Sequence, residues 1–269
     1  MTRYTVNASI LLTDLPLLDR PAAAAEAGFG AVEFWWPFPT AVPADAEVDR
    51  FVRAIRDAEV QLTGLNFFAG DMAAGERGIL NRSTRTGEWH DNVDVVVGIG
   101  EQLGCRAFNA LHGLTTGPEQ DGQSRGQADA TATENLAHAA RAVERIGGTV
   151  LVEPVSGLPG FPLLTAADAL AVVERVRAAG AGAIGLLADF YHLAVNGDDV
   201  AAVIDAHAAD FAHVQIADAP GRGAPGTGTL PLADWVAAAE AGGYHGWIGL
   251  EYTSADPDPF AWLPRGQRG

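Results

Sequence analysis

The chain has 269 residues, and its seventeen basic residues are all arginine; with 34 acids the formal net charge is −17. The absence of lysine rules out a Schiff-base amine and a P-loop cation, which excludes class I aldolase, pyridoxal-phosphate and P-loop nucleotide chemistry. Two acids for every base leave no general electrostatic grip on nucleic acid or on anionic lipid, because both depend on cations meeting phosphates.

The length suits one large domain, and α/β barrels commonly run to about 250 residues. Hydrophobic residues make up 48% of the chain, enough for a substantial core. The single cysteine, Cys105, allows neither an internal disulfide nor a zinc-thiolate cluster and fits a reducing compartment. The opening MTRYTVNASI has no signal-peptide pattern, and no apolar run reaches the roughly 18 residues of a membrane span. A soluble, cytoplasmic protein with no membrane partner is expected.

Along the chain, short β-branched or aromatic runs alternate with longer alanine-rich stretches of helical spacing. The first strand is predicted over Tyr4–Ile10 and a helix over about Leu15–Ala27, followed by Ala31–Phe34 and Asp45–Ala58. Gln61–Asn66 with Gly87–Leu103, Arg106–Ala110 with Ala128–Ile146, and Val150–Glu153 with Ala166–Ala179 continue the alternation. Ile184–Asp189 precedes a helix over Asp198–His207, Ala212–Ile216 precedes Leu232–Ala241, and Trp247–Glu251 closes the series. Several helices end in glycine (AEAGFG, RIGG, AAGAG, EAGGYHG), the residue that suits a left-handed helix terminus.

Eight strands alternating with helices imply parallel pairing and right-handed crossovers. A doubly wound sheet usually carries a glycine-rich phosphate turn after its first strand, and here that position reads NASILLTDLP. The expected fold is therefore α/β, a (β/α)8 TIM barrel spanning 1–269 as a single domain, with a short C-terminal extension from about 253. Two long connectors, Ala69–Thr86 and Leu111–Ala128, follow strands and should overhang the face where barrel chemistry sits. For the second, a purely solvated polar loop is an equal alternative.

The later strands end in a consistent set of polar residues: Glu153 in TVLVEP, Asp189 in AIGLLAD, Gln215 in AHVQIAD and Glu251 in GWIGLEY. One such residue usually means a helix cap or loop start. Four in succession on adjacent strands converge on one spot at the barrel mouth. Three carboxylates packed there repel one another, and a divalent cation removes the conflict. An all-oxygen set of Glu153, Asp189, Gln215 and Glu251 suits Mg²⁺ or Mn²⁺, with Co²⁺ and Zn²⁺ left open. His192 lies just past the sixth strand, either capping the next helix or reaching a metal-bound water or the substrate. Arg222, in the loop ADAPGRGAPGTGTL, is the best-placed cation for an anionic substrate, with Arg77 in the first long loop as a second. His213 reads as a hydrogen-bond partner of the site or as a satisfied barrel histidine. Earlier strands end more weakly in Asn7, Glu33, Asn66 and Asn109; the asparagines at 66 and 109 are candidate substrate contacts, or ties for the loops. FWWPF, after Glu33, could wall a small pocket or serve an oligomer interface.

These segments resemble the hydroxypyruvate isomerase family, within the xylose-isomerase-like group of (β/α)8 barrels. The resemblance runs from VNAS and AGFGAVEFWWPF through AGDMAAGERGI to LVEP, ADFYH, HVQIADAPGRGAPGTG and GWIGLEY. It implies Glu153, Asp189, Gln215 and Glu251 as metal ligands, Glu153 and Glu251 as an acid/base pair, and His192 and Arg222 on the substrate side. Two departures touch substrate recognition: Leu65 stands where the family often has histidine, and LHGLTTG after Asn109 lacks the family's common lysine.

The implied activity is an aldose–ketose type isomerisation of hydroxypyruvate and tartronate semialdehyde through an enediolate, on a small anionic hydroxy-oxo acid. A 2-oxo-tetronate isomerase or ketose 3-epimerase would use the same site, and a metal-dependent dehydratase is the alternative of another class. A zinc endonuclease would need many strand-end histidines; a barrel without metal would not keep four oxygen ligands. A homo-oligomer is compatible with the sequence.

Overall fold

In the computed structural model, residues 2–115 and 122–268 are described, so positions 116–121 of the second long loop lie outside the described residues. Eight parallel strands pair in chain order and close on themselves. They are β1 (Tyr4–Asn7), β2 (Ala31–Phe34), β3 (Gln61–Asn66), β4 (Ala107–Asn109), β5 (Thr149–Val152), β6 (Ile184–Asp189), β7 (Phe211–Ile216) and β8 (Ile248–Leu250). The helices are α1 (Arg20–Glu26), α2 (Asp45–Asp57), α3 (Thr86–Leu103), α4 (Arg125–Glu144), α5 (Ala166–Ala178), α6 (Phe190–Val195), α7 (Val200–His207) and α8 (Leu232–Ala241). This is a single-domain (β/α)8 barrel, as the alternation implies.

Outward residues of the strands meet apolar helix faces: Phe34 of β2 sits edge-on to Phe51 of α2 with ring centroids 5.2 Å apart. Such a sheet is buried on both faces, which is why its strands read as near-continuous apolar runs. Two strands carry an extra residue. Val32 pairs with Leu62 but Glu33 with Gly64, which leaves Thr63 as the extra residue of β3. Leu186 pairs with Phe211 but Leu187 with His213, which leaves Ala212 as that of β7. An inserted residue re-phases the side chains beyond it, and in β7 it brings Gln215 directly beside Asp189.

Boundaries differ from expectation for local reasons. β1 stops at Asn7 rather than Ile10, because the Asn7 side-chain oxygen accepts the Ser9 N–H at 3.1 Å and its carbonyl accepts the Leu11 N–H at 3.0 Å, turning the chain. The first helix accordingly starts at Arg20. β5 ends one residue before Glu153, and Pro154 beyond it has no N–H to continue a ladder. Helix α6 had no counterpart in the sequence reading. It begins immediately after β6, because the Asp189 carboxylate accepts the N–H of Tyr191 at 2.8 Å and of His192 at 3.2 Å.

Among the described residues no α-helix follows β8, only one 3-10 turn at Arg265–Gln267. Residues 251–268 instead run to the N-terminal end of the barrel and cover it. Phe260 packs on Phe29 at 4.7 Å, Trp262 meets Tyr4 at 6.0 Å, and the Arg268 guanidinium donates to the carbonyls of Ala27, Phe260 and Leu263. Among the described residues no helix is long and apolar enough to cross a membrane.

Phe260 is 2% exposed. Phe260→Ala should therefore cost about 3–5 kcal/mol in urea unfolding; a loss below about 1 kcal/mol would show that the tail is not part of the core.

Candidate active site

The C-terminal ends of the strands carry buried polar side chains that meet above the barrel axis. Asp189 ends β6, Gln215 stands one residue from the end of β7, and Glu153 and Glu251 are the first residues beyond β5 and β8. All four are buried. Glu153, Asp189 and His192 each bring a possible ligand atom within 4.8 Å of one another. Arg222 bridges the group: its Nη2 pairs with Glu251 Oε1 and lies 3.7 Å from Asp189 Oδ2, while its Nε donates to the Glu251 carbonyl at 3.2 Å.

One guanidinium among three carboxylates is insufficient compensation. Burial, then repulsion by Asp189, pushes the Glu153 carboxyl up to about 8, against the opposing pull of the Asn109 amide and Arg222. Burial also raises Glu251 well above the carboxylate range; Arg222 opposes this, while Glu153, Asp189 and Glu33 add to it. Besides Asn109 Oδ1, two oxygens of the strand-end set are buried and accept no hydrogen bond: Gln215 Oε1, and Asp189 Oδ2 with Arg222 and His192 nitrogens no nearer than 3.7 and 3.6 Å. A buried oxygen without a donor costs free energy, and a cation would satisfy both. The donor set of three carboxylates and an amide oxygen fits a hard divalent ion.

His192 is placed differently from the carboxylates. Its Nδ1 accepts the Ser156 N–H at 3.0 Å and lies 2.7 Å from Ser156 Oγ, so the ring proton of the neutral form is on Nε2. That nitrogen faces Glu153 Oε1 at 3.9 Å and Asp189 Oδ2 at 3.6 Å. Burial lowers the imidazole to about 4, which keeps it neutral at pH 7. It therefore offers a hydrogen-bond donor to an oxygen in the site; its free lone pair is taken by Ser156. Of the two expected roles, the helix cap belongs to Asp189 instead.

Above these groups lies a cavity of about 220 Å³, with Glu153, Glu251, His192 and Arg222 on its floor and sides. Trp35 walls it, and Met72 and Arg77 reach it from the loop between β3 and α3. Arg77 is anchored by its own loop, donating from Nη1 to the carbonyls of Met72 at 2.8 Å and Glu76 at 2.6 Å. Asn66 also lines the cavity. Asn109 lines the small hollow beneath it and donates to Glu153 Oε2 at 2.7 Å. The sequence-derived candidates thus converge, with Asn109 holding a carboxylate.

Three contributors were not recognised from sequence. Glu33, read only as a weak polar strand end before an aromatic run, accepts from His213 and Gln215 at 2.7 Å each and from Asn7 at 3.1 Å. Ser156 fixes the His192 ring. Asp218 shapes the loop that carries Arg222, its carboxylate accepting the N–H groups of Ala219, Gly226, Gly228 and Leu230 between 2.8 and 3.0 Å. Burial raises that carboxyl, but the four donors outweigh burial and hold it below its ordinary value. Arg222 itself has φ of 56°, a left-handed conformation that a non-glycine residue adopts only when its surroundings impose it.

A closed barrel with buried acids and a guanidinium at the C-terminal ends of its strands defines an enzyme of the (β/α)8 class. The chain belongs to the xylose isomerase-like TIM barrel family, whose model matches residues 21–268. It is 50% identical to the "Putative hydroxypyruvate isomerase" of Streptomyces coelicolor, over 99% of this chain and 97% of that protein. It is 34% identical to the 2-oxo-tetronate isomerase of Cupriavidus necator, over 94% of this chain and 93% of that protein. Among solved structures, one described as an AP endonuclease of family 2 from Brucella melitensis superposes with a TM-score of 0.86. The two are 33% identical, covering 97% of this chain and 98% of the other. With its relatives, the chain is an isomerase.

Asp218→Asn should leave the barrel folded but open the 218–230 loop to limited proteolysis. A variant as resistant as wild type would show that the carboxylate does not hold the loop. Because the Asp218 carboxyl is lowered in the folded state, its contribution is full above about pH 4 and fades as pH falls through the lowered value.

Proposed function

We propose that this isomerase interconverts hydroxypyruvate and tartronate semialdehyde, using Glu153 and Glu251 as acid/base pair beside a divalent cation. The observation that carries this reading is the placement of two buried glutamates with raised proton affinity just past β5 and β8, three strands apart around the mouth. Both border a cavity that also holds Arg77 and Arg222. Moving a carbonyl one carbon along requires a proton to leave the carbon on one side and another to arrive at the neighbour. A carboxyl whose proton affinity is near neutral can do either.

Glu153, Asp189, Gln215 and Glu251 would hold the cation, Mg²⁺ or Mn²⁺ by the hardness of the set; when bound it supplies the positive charge that makes the carbon acid enough to ionise. Arg77 and Arg222, the cationic side chains that line the cavity among the described residues of a protein carrying −17, receive the substrate carboxylate. His192 Nε2–H donates to a substrate oxygen, kept in that tautomer by Ser156. One glutamate removes the proton from the hydroxymethyl carbon and the other returns one to the former carbonyl carbon, while the hydroxyl proton passes to the former carbonyl oxygen. Trp35 and the Met72–Arg77 loop exclude water from the enediol between these two events.

The relationship to the "Putative hydroxypyruvate isomerase" of S. coelicolor supports the three-carbon acid as the first reading. The relationship to the 2-oxo-tetronate isomerase of C. necator supports a four-carbon acid as the second reading. An endonuclease is disfavoured by the net charge and by a proposed ligand set, Glu153, Asp189, Gln215 and Glu251, that contains no histidine.

Glu251→Gln should lower kcat with hydroxypyruvate by about 10²–10⁴-fold. A near wild-type rate would remove the two-glutamate mechanism, and a higher kcat/KM with 2-oxo-tetronate would transfer the assignment to the longer acid.

In a chelator-stripped sample the raised glutamates bind more protons in the folded than in the unfolded chain. Stability should therefore fall as pH rises from about 4.5 toward 8. Mn²⁺ should raise the melting temperature at pH 8 more than at pH 5; equal shifts would contradict a cation site built on these carboxyls.

A further inference from the structure

Gln215 differs from the other proposed ligands in having two chemically unlike ends. Turning its amide by 180° exchanges an oxygen for an NH₂ group at the same place, and only the oxygen can meet a cation. The fold has to choose between these orientations. Gln215 Nε2 lies 2.7 Å from Glu33 Oε1, and a carboxylate only accepts, so Nε2 must face Glu33. Gln215 Oε1 is thereby turned away from Glu33, where it stays buried without a partner.

Glu33 is itself fixed. His213 Nε2 lies 2.7 Å from its Oε2, and Asn7 Nδ2 spans its Oε1 and Glu251 Oε2 at 3.1 Å each. The neighbouring strands leave room for this arrangement. A Cβ on Gly249 of β8 would meet Gln215 Cγ and Glu33 Oε1 at 2.7 Å each, and a Cβ on Gly64 of β3 would meet Glu33 Cβ at 3.2 Å. Strand β3 carries its extra residue at this pairing.

We propose that Glu33 is a positioning residue: seated between Gly64 and Gly249 and held by His213 and Asn7, it fixes the Gln215 amide with its oxygen toward the cation site. This inference rests on the cation reading given above. Glu33 touches neither substrate nor cation and acts through Gln215.

The test is Mn²⁺ affinity measured by calorimetry on chelator-stripped full-length protein, with the unfolding temperature of each stripped sample taken alongside. Glu33→Gln offers an NH₂ to Gln215 and lets its amide turn, so affinity should fall about 10–100-fold, as for other partners that orient a ligand. Glu33→Asp keeps the charge but withdraws the carboxylate by one methylene; it should show a loss in the same range, and it carries the test should the first variant fail to fold. Gln215→Ala should also weaken binding, and adding Glu33→Gln to it should cost nothing further, because Glu33 acts through the amide. Wild-type affinity in Glu33→Asp, or a double variant whose losses multiply, would overturn the assignment. Failure of the wild-type protein to bind Mn²⁺ would instead overturn the cation reading, leaving the two failures distinguishable.

Discussion

Glu153, Asp189 and Glu251 are buried within reach of one guanidinium, and like charges at such distances cannot all persist in a medium that screens them poorly. The molecule has two ways to relieve this repulsion, binding protons or binding a cation, and the site is poised between them. Protonation explains the raised affinities of the two glutamates. The proposed cation would account for the buried oxygens of Asp189 and Gln215 that accept no hydrogen bond. The same tension raises the proton affinity of both glutamates above the ordinary carboxylate range, that of Glu153 to about 8, so the cost of gathering the acids is also the origin of their proposed chemistry.

The scaffold holds this unfavourable cluster together by over-determining each member. Asp189 cannot rotate away because one of its oxygens caps α6. Asn109 holds Glu153, and Asn7 and Arg222 hold Glu251. Arg222 is in turn set by a loop wound around the Asp218 carboxylate. Beneath them the extra residue in β7 aligns Gln215 with Asp189. The apolar layer between strands and helices provides the folding free energy against which these polar placements are made.

The barrel and the four converging residues could be read in the sequence because apolar runs such as TVLV and AIGLLA end abruptly in an acid. That contrast survives without any knowledge of pairing. Glu33 gives no such signal: it sits inside AVEF, and its role depends on His213 and Gln215, some 180 residues away. Its burial inside a four-residue apolar strand was the available clue, since an unpaired charge there would be costly. Asp218 was hidden in a loop whose glycines and prolines drew attention instead. The extra residues in β3 and β7, and the seat taken by the 251–268 extension, depend on register and on packing at the barrel's N-terminal end. Neither leaves a local periodicity. Helix α6 was missed because six residues are too few to establish a 3.6-residue period.

The missing lysine and the net charge of −17 acquire a structural meaning here. Arginine, which stays charged when buried, can stand among raised carboxyls where lysine would tend to give up its proton. The central claim is that the buried carboxylates form a cation site competing with protons. It is tested most directly by titrating Mn²⁺ into chelator-stripped protein at pH 7 in buffers of different ionisation enthalpy. One ion per chain, with release of protons displaced from the raised glutamates, is the predicted result. Absence of binding, or binding with no proton release, would contradict it.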